Sequence, residues 1–252
     1  MATFTPKIIA ACALLAGATA TFGMQNQCAA SSGPQLTPVL ELYTSEGCSS
    51  CPPADTWAST FKGKNVVVQA FHVGYWDYIG WVDRFAAPAH TNRQREVAAS
   101  NRLRNIYTPQ VVVNGRDLPQ WGNAQSRIVG ARDPARAQIT LRRVADDQFE
   151  ATVTPDISGG ALPAWAAYWT VTEHGHNSKV KAGENAGEFL KHDFVVRQYT
   201  QAGEYKSGGA TPTKLAFRSI AATPGHERQV NLVVFEPQSG KTLQALSLSC
   251  PA

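Results

Sequence analysis

Residues 41–55 read ELYTSEGCSSCPPAD, with two cysteines three positions apart between an apolar run and a pair of prolines. How this stretch folds decides how the chain is built around it. Proline is tolerated in the first turn of a helix, where the amide has no intrahelical partner. A helix is therefore expected to begin at or just before Pro52 and to run through PPADTWASTFKG to Gly63. TPVLELY, just before the cysteines, reads as a short buried strand. Cys48 and Cys51 then lie on a loop leading from a strand into a helix N-terminus.

Unpaired amides and the helix dipole favour negative charge at that place, which lowers a thiol pKa and makes the thiolate nucleophilic. Two intervening residues let the second thiol release a mixed disulfide formed on the first. In this reading Cys48 is the exposed attacking thiol and Cys51 the resolving one, and the chemistry needs no organic cofactor. Two alternatives stand beside it. The pair is a structural bridge, or it is part of a metal site. Zinc sites of the usual kind add a second ligand pair at similar spacing, and none appears. His72, on the next strand, makes a set of two thiolates and an imidazole that suits copper or zinc. A histidine between Phe71 and Val73 is more often a hydrogen-bonded core residue.

Outward from the cysteines, NVVVQAFHV is a second buried strand, rich in β-branched residues. Residues 75–81, YWDYIGW, form an aromatic loop. Tyr75 and Trp76 offer contact area with a polar handle for a substrate, or else cover a gap between domains, with Asp77 and Asp83 placing the loop. AHTNRQREVAASNRLR has helical composition, NIYTPQVVVNG is a strand closed by an Asn114-Gly115 hairpin turn, and NAQSRIVGA is a short helix. Beyond Ala137 alternating runs separated by turns predominate, the signature of a β-sandwich. In AWAAYWTVTE, Trp165, Ala167, Trp169 and Val171 share a face. Neither a phosphate-cradling glycine loop nor a serine-hydrolase elbow is present.

The N-terminus has the form of a secretory signal over residues 1–20: Lys7, an apolar run from Ile8 to Ala18, and a small-residue pattern that allows cleavage after Ala20. Cys12 lies too early in the apolar run for a lipid anchor. Residues 21–36 read as a tether. The expected product is periplasmic or secreted, with no membrane span. A net charge of +4, spread along the chain, does not argue for nucleic acid. Four cysteines remain after cleavage, and an even number in an exported chain favours disulfides. Cys28 and Cys250 are the second candidate pair, tying the two chain ends together.

The order strand, Cys-x-x-Cys, helix, strand, helix, Thr-Pro, strand, Asn-Gly resembles the thioredoxin-like superfamily over roughly residues 38–132. That resemblance implies a cis Pro109, with Thr108 and Pro109 contacting substrate beside the Cys48–Cys51 pair. It also implies a buried acid on the preceding strand. Glu41 is nearest but one position out of register, and a paired or solvated strand-end acid is the more frequent case. LYTSEGCSSCPPAD, FHVGYWDYIGW, YTPQVVVNG and GENAGEFLKHDFVVR together resemble one family of exported bacterial proteins, catalogued as a domain of unknown function. Its pattern places an acid where this chain has Gly74. Within the last motif Glu184 and His192 are a catalytic pair on paper, while a hydrogen-bonded turn between domains is the commoner use.

The expected protein thus has an α/β thioredoxin-like domain over residues 37–132, followed by an all-β, sandwich-like domain over 136–252. Its expected function is exported thiol–disulfide oxidoreductase, acting on protein or small-molecule thiols and disulfides together with a redox partner protein. The alternatives are a metal-binding or metallochaperone module using Cys48, Cys51 and His72, and a non-catalytic interaction protein.

Overall fold

The computed structural model describes residues 1–2, 28–160, 164–206 and 209–250. The expected signal, its cleavage point and Cys12 lie outside these residues. The described strands are β1 (Ala29–Ser31), β2 (Val39–Thr44), β3 (Val67–His72), β4 (Gln110–Val113), β5 (Arg116–Asp117), β6 (Ala137–Ala145) and β7 (Gln148–Pro155). They continue with β8 (Ala164–Glu173), β9 (His176–Lys179), β10 (Phe189–His192), β11 (Val195–Lys206), β12 (Thr213–Arg218), β13 (Arg228–Phe235) and β14 (Thr242–Leu248). The helices are α1 (Pro52–Ser59), α2 (Pro88–Ser100) and α3 (Gln125–Gly130).

The expected fold class is corrected here. The protein is mostly β-sheet, and one eight-stranded sheet in the order β14-β13-β8-β11-β3-β2-β4-β5 runs through both halves of the chain. An α/β thioredoxin-like unit followed by a separate sandwich does not describe it. The join is β11, which pairs antiparallel with β8 and, through Val195 opposite Ala70, parallel with β3. The Ala70 amide donates to the Phe194 carbonyl at 2.8 Å. The physical reason is a shared core. Val39 and Val67 from the first half bury together with Tyr168, Val233 and Ala245 from the second. Neither half could expose those residues to water without losing their burial free energy.

The central strands are covered on both faces, so β2 is buried at all six positions. Leu40 and Leu42 meet Ala54 and Ala58 of α1, with Phe61. Tyr43 points the other way, onto Phe71 and Val97 of α2. Alternation along the strand puts Glu41 on that α2 face as well, away from α1.

The second sheet, β1-β6-β7-β12, packs over the far end of the long one. Trp165, Ala167, Trp169 and Val171 face Ile139, Leu141, Phe149 and Val153 across this interface, as their alternation predicts. Trp169 stacks on Phe217 with ring centroids 4.9 Å apart, a contact worth about 1 kcal/mol beyond its buried area. Residues 29–31, expected within a tether, are instead an edge strand on β6. Ser32 secures it: its amide donates to the Ile139 carbonyl, and its hydroxyl accepts the Ile139 amide. A disulfide joins Cys28 to Cys250 beside it.

β9 and β10 form a separate two-stranded hairpin. Their sequences, HNSK and FLKH, are short and polar, and neither was expected as a strand. This hairpin carries the GENAGEF turn to the cysteines.

Candidate functional site

Cys48 and Cys51 are joined by a disulfide at the start of α1. Cys51 is the helix N-cap, and its carbonyl accepts the amides of Ala54 and Asp55. Cys48 was expected to be the exposed thiol, but it is 1% exposed. The reason is a cover that sequence proximity does not reveal. The Asn185 side-chain amide donates to the carbonyls of Cys48 (3.0 Å) and Glu46 (2.8 Å). Next to it, Glu184 Oε2 accepts the Ser49 amide at 2.9 Å. That bond holds the Glu184 carboxyl below its ordinary pKa. The turn between β9 and β10 thus lies across the Cys-x-x-Cys loop. Glu184 serves as a hydrogen-bonded clasp and does not meet His192 as a pair.

The aromatic loop closes another side. Gly47 must be glycine, because a Cβ there would come within 2.9 Å of Trp76 Cβ. Trp76 in turn donates its indole N–H to Thr108 Oγ1 at 2.8 Å. The Thr108–Pro109 peptide is cis. Trp76 therefore bridges the residue before Cys48 and the residue before Pro109. Tyr75 packs beside Tyr43, Phe71 and Val97. Asp77 and Asp83 position the loop as expected: Asp77 Oδ1 accepts the Asp83 amide, and Asp83 Oδ2 accepts the Glu46 amide. Gly74, where the resembled family carries an acid, lies beside the Asp77 carboxylate.

A buried polar cluster gathers around His72, at the end of β3, and Asp55, one helical turn from Cys51. His72 Nδ1 donates to Asp83 Oδ2 at 2.7 Å. Burial pushes the His72 pKa down, but the charge and hydrogen bond of Asp83, with the charges of Asp55 and Glu46, together bring it above its ordinary value. Burial likewise pushes Asp83 up, and the facing His72 holds it below its ordinary value. Asp55, on α1, accepts the Thr44 hydroxyl at 2.9 Å, and burial raises its pKa. Glu46 accepts the Trp81 indole N–H at 2.7 Å. Burial raises the Glu46 carboxyl, while the His192 ring, the Ser178 hydroxyl and the Trp81 indole bring it below its ordinary value. His72 thus converges with Asp55 and His192, while each cysteine is bonded to the other.

Glu41 belongs to another cluster. Arg93 Nη2 donates to its Oε1 at 2.8 Å, and the hydroxyls of Tyr43 and Tyr168 also donate to its carboxylate. It is a paired acid on the opposite face of the sheet from α1. Asp55, Glu46 and Asn185 were not singled out in the sequence. For Asp55 a signal existed: it stands four residues after Cys51, one helical turn along.

A mostly β fold carrying a buried Cys-x-x-Cys disulfide under a hydrogen-bonded turn defines the class of protein. The chain belongs to the family described as "Protein of unknown function (DUF1223)", whose model matches residues 39–235. Among solved structures it is similar to protein AGR_C_4864 from Agrobacterium tumefaciens, at 23% identity and a TM-score of 0.65, covering 86% of this chain and 96% of that one. It is also similar to HBP35 of Porphyromonas gingivalis, at 14% identity and a TM-score of 0.61, covering 85% of this chain and 75% of that one. At these identities the likeness is one of fold. No curated protein matches the chain. Among the described residues no helix is long and apolar enough to cross a membrane. The two disulfides fit an extracellular protein.

Proposed function

We propose that the protein is a thiol–disulfide oxidoreductase of the periplasm or extracellular space, with Cys48–Cys51 as its reactive pair. The observation that carries this reading is the Cys-x-x-Cys disulfide seated at the N-terminus of α1, where a thiolate released on reduction is stabilised by helix amides. In the oxidising direction a substrate thiolate attacks Cys48 Sγ, the Cys48–Cys51 bond breaks, and Cys51 leaves as a thiolate. A second substrate thiol, deprotonated, then attacks the substrate sulfur of the mixed disulfide and releases Cys48. Two electrons pass from the substrate dithiol to the protein. The reducing direction is the reverse. Thr108, Pro109, Tyr75 and Trp76 are the residues we assign to substrate contact. A protein or small-molecule dithiol is the substrate class, and a partner protein restores the starting redox state. Access to Cys48 requires the Glu184–Asn185 turn to lift.

A glutathione redox titration of the purified protein, read by alkylation and mass spectrometry, tests this. We expect a reversible two-electron transition at Cys48–Cys51, and a mixed disulfide trapped on Cys48 in the Cys51→Ser variant. A pair that stays oxidised under strongly reducing conditions and traps nothing would leave it a structural bridge.

A further inference from the structure

β3 and β10 each end on a histidine, and the rings of His72 and His192 meet edge to face with centroids 4.9 Å apart. Asp55 comes up from α1 to join them, and one ligand atom from each of the three lies within 4.8 Å of the others. The three residues are 8%, 0% and 2% exposed for Asp55, His72 and His192 respectively. His72 Nε2, both ring nitrogens of His192 and Glu46 Oε1 are buried without a hydrogen-bond partner. His192 Nε2 and Glu46 Oε1 approach to 3.3 Å, but they are not aligned as donor and acceptor. A buried polar atom left unpaired is costly, because it has given up its hydrogen bonds to water for nothing. A cation among them would satisfy three at once: His72 Nε2, one ring nitrogen of His192 and Glu46 Oε1.

We propose that Asp55, His72 and His192, with Glu46 Oε1 adjoining as the fourth donor, form a site for a zinc-type divalent cation. Two imidazoles and two carboxylates are a donor set that zinc accepts in tetrahedral geometry. Bonds of about 2.0–2.2 Å place tetrahedral ligands roughly 3.4 Å apart, a spacing that small side-chain rotations reach from the one observed. The surroundings have the form of a metal centre. Asp83 accepts a hydrogen bond from His72 Nδ1–H, which turns Nε2 toward the cluster as the nitrogen free to ligate, the arrangement by which carboxylates orient metal-bound histidines. Asp83 is itself fixed by the amides of Glu46 and Phe85. No thiolate takes part, so the site does not depend on the redox state of Cys48 and Cys51. It joins α1, β3 and β10, and so fastens the hairpin whose turn covers Cys48 to the helix that carries Cys51.

The test is titration of the chelator-treated full protein with zinc and, for its spectrum, cobalt. We expect one ion per chain and a zinc-dependent rise in Tm. His192→Ala should abolish both, and Asp83→Asn, which leaves all ligands in place, should weaken binding roughly 10- to 100-fold. The Cys48→Ser/Cys51→Ser double variant should bind as the parent does, and its cobalt spectrum should lack a thiolate charge-transfer band. Circular dichroism separates loss of the site from loss of the fold, and Asp83→Asn supplies the answer if His192→Ala does not fold. Absence of zinc and cobalt binding in the parent would overturn the proposal. So would parent-like binding in a folded His192→Ala, or loss of binding in the double cysteine variant.

Discussion

Asn185 holds Cys48 from 137 residues away: its side-chain amide reaches the Cys48 carbonyl at 3.0 Å and, through its other hydrogen, the Glu46 carbonyl at 2.8 Å. The loop that carries the disulfide is therefore closed by a residue from the opposite half of the chain.

Removing that amide should expose the disulfide. Two hydrogen bonds worth about 0.5–1.5 kcal/mol each correspond to an open population larger by roughly 5- to 160-fold in Asn185→Ala. Reduction of Cys48–Cys51 by dithiothreitol, followed by timed alkylation, should accelerate by a similar factor. An unchanged rate would mean that this turn does not gate the disulfide.

Glu41 links stability to pH. Burial pushes its carboxyl up, but the charge and hydrogen bonds of Arg93, with Tyr43 and Tyr168, bring it below the ordinary 4.5. A carboxyl lowered on folding contributes stability that is present above its unfolded pKa and lost as pH falls through the lower folded value. Glu41→Gln leaves Arg93 buried and unpaired, at a cost of about 3–5 kcal/mol at neutral pH. Urea denaturation should show that gap narrowing as pH drops below 4.5.

Gly115 marks where the β4–β5 hairpin touches the β13–β14 hairpin. Its φ is +79°, and a Cβ there would run into the backbone carbonyl of Gly240. Gly115→Ala should cost at least about 2 kcal/mol, from the backbone conformation plus the collision. Gly63, with φ +71° and open space around it, is the control and should show only the backbone share, about 1 kcal/mol. Equal losses in chemical denaturation would remove the collision from the account.

The Cys28–Cys250 bond closes nearly the whole described chain. Replacing both cysteines by alanine should cost about 2–5 kcal/mol, seen as a lower Tm. The dithiothreitol reduction rate at Cys48–Cys51 should not change, since the two bridges anchor different parts of the molecule.

Much of the local structure was legible in the sequence. Pro52 and Pro53 mark the start of α1, Asn114-Gly115 marks a tight turn, and the Trp165–Val171 alternation marks an inward face. Each depends on neighbours a few residues apart. The hairpin of β9 and β10 was not legible, because HNSK and FLKH carry no strand signal. They are held by each other and by the cluster around His192. Without that hairpin the cover over Cys48 was invisible, and so was the meeting of His192 with His72 and Asp55.

By itself, then, the sequence determined the helix start that receives Cys51 and most of the strand pattern of both halves, since these follow from backbone restrictions and short-range periodicity. The tertiary structure alone decided that the halves share one sheet, that Cys48 lies buried, and that His72, His192 and Glu46, from separate parts of the chain, meet with polar atoms left unpaired. Those outcomes depend on which distant surfaces exclude water together, and burial of Val39 and Val67 against Tyr168 and Val233 is a property of the assembled sheet that no local stretch encodes.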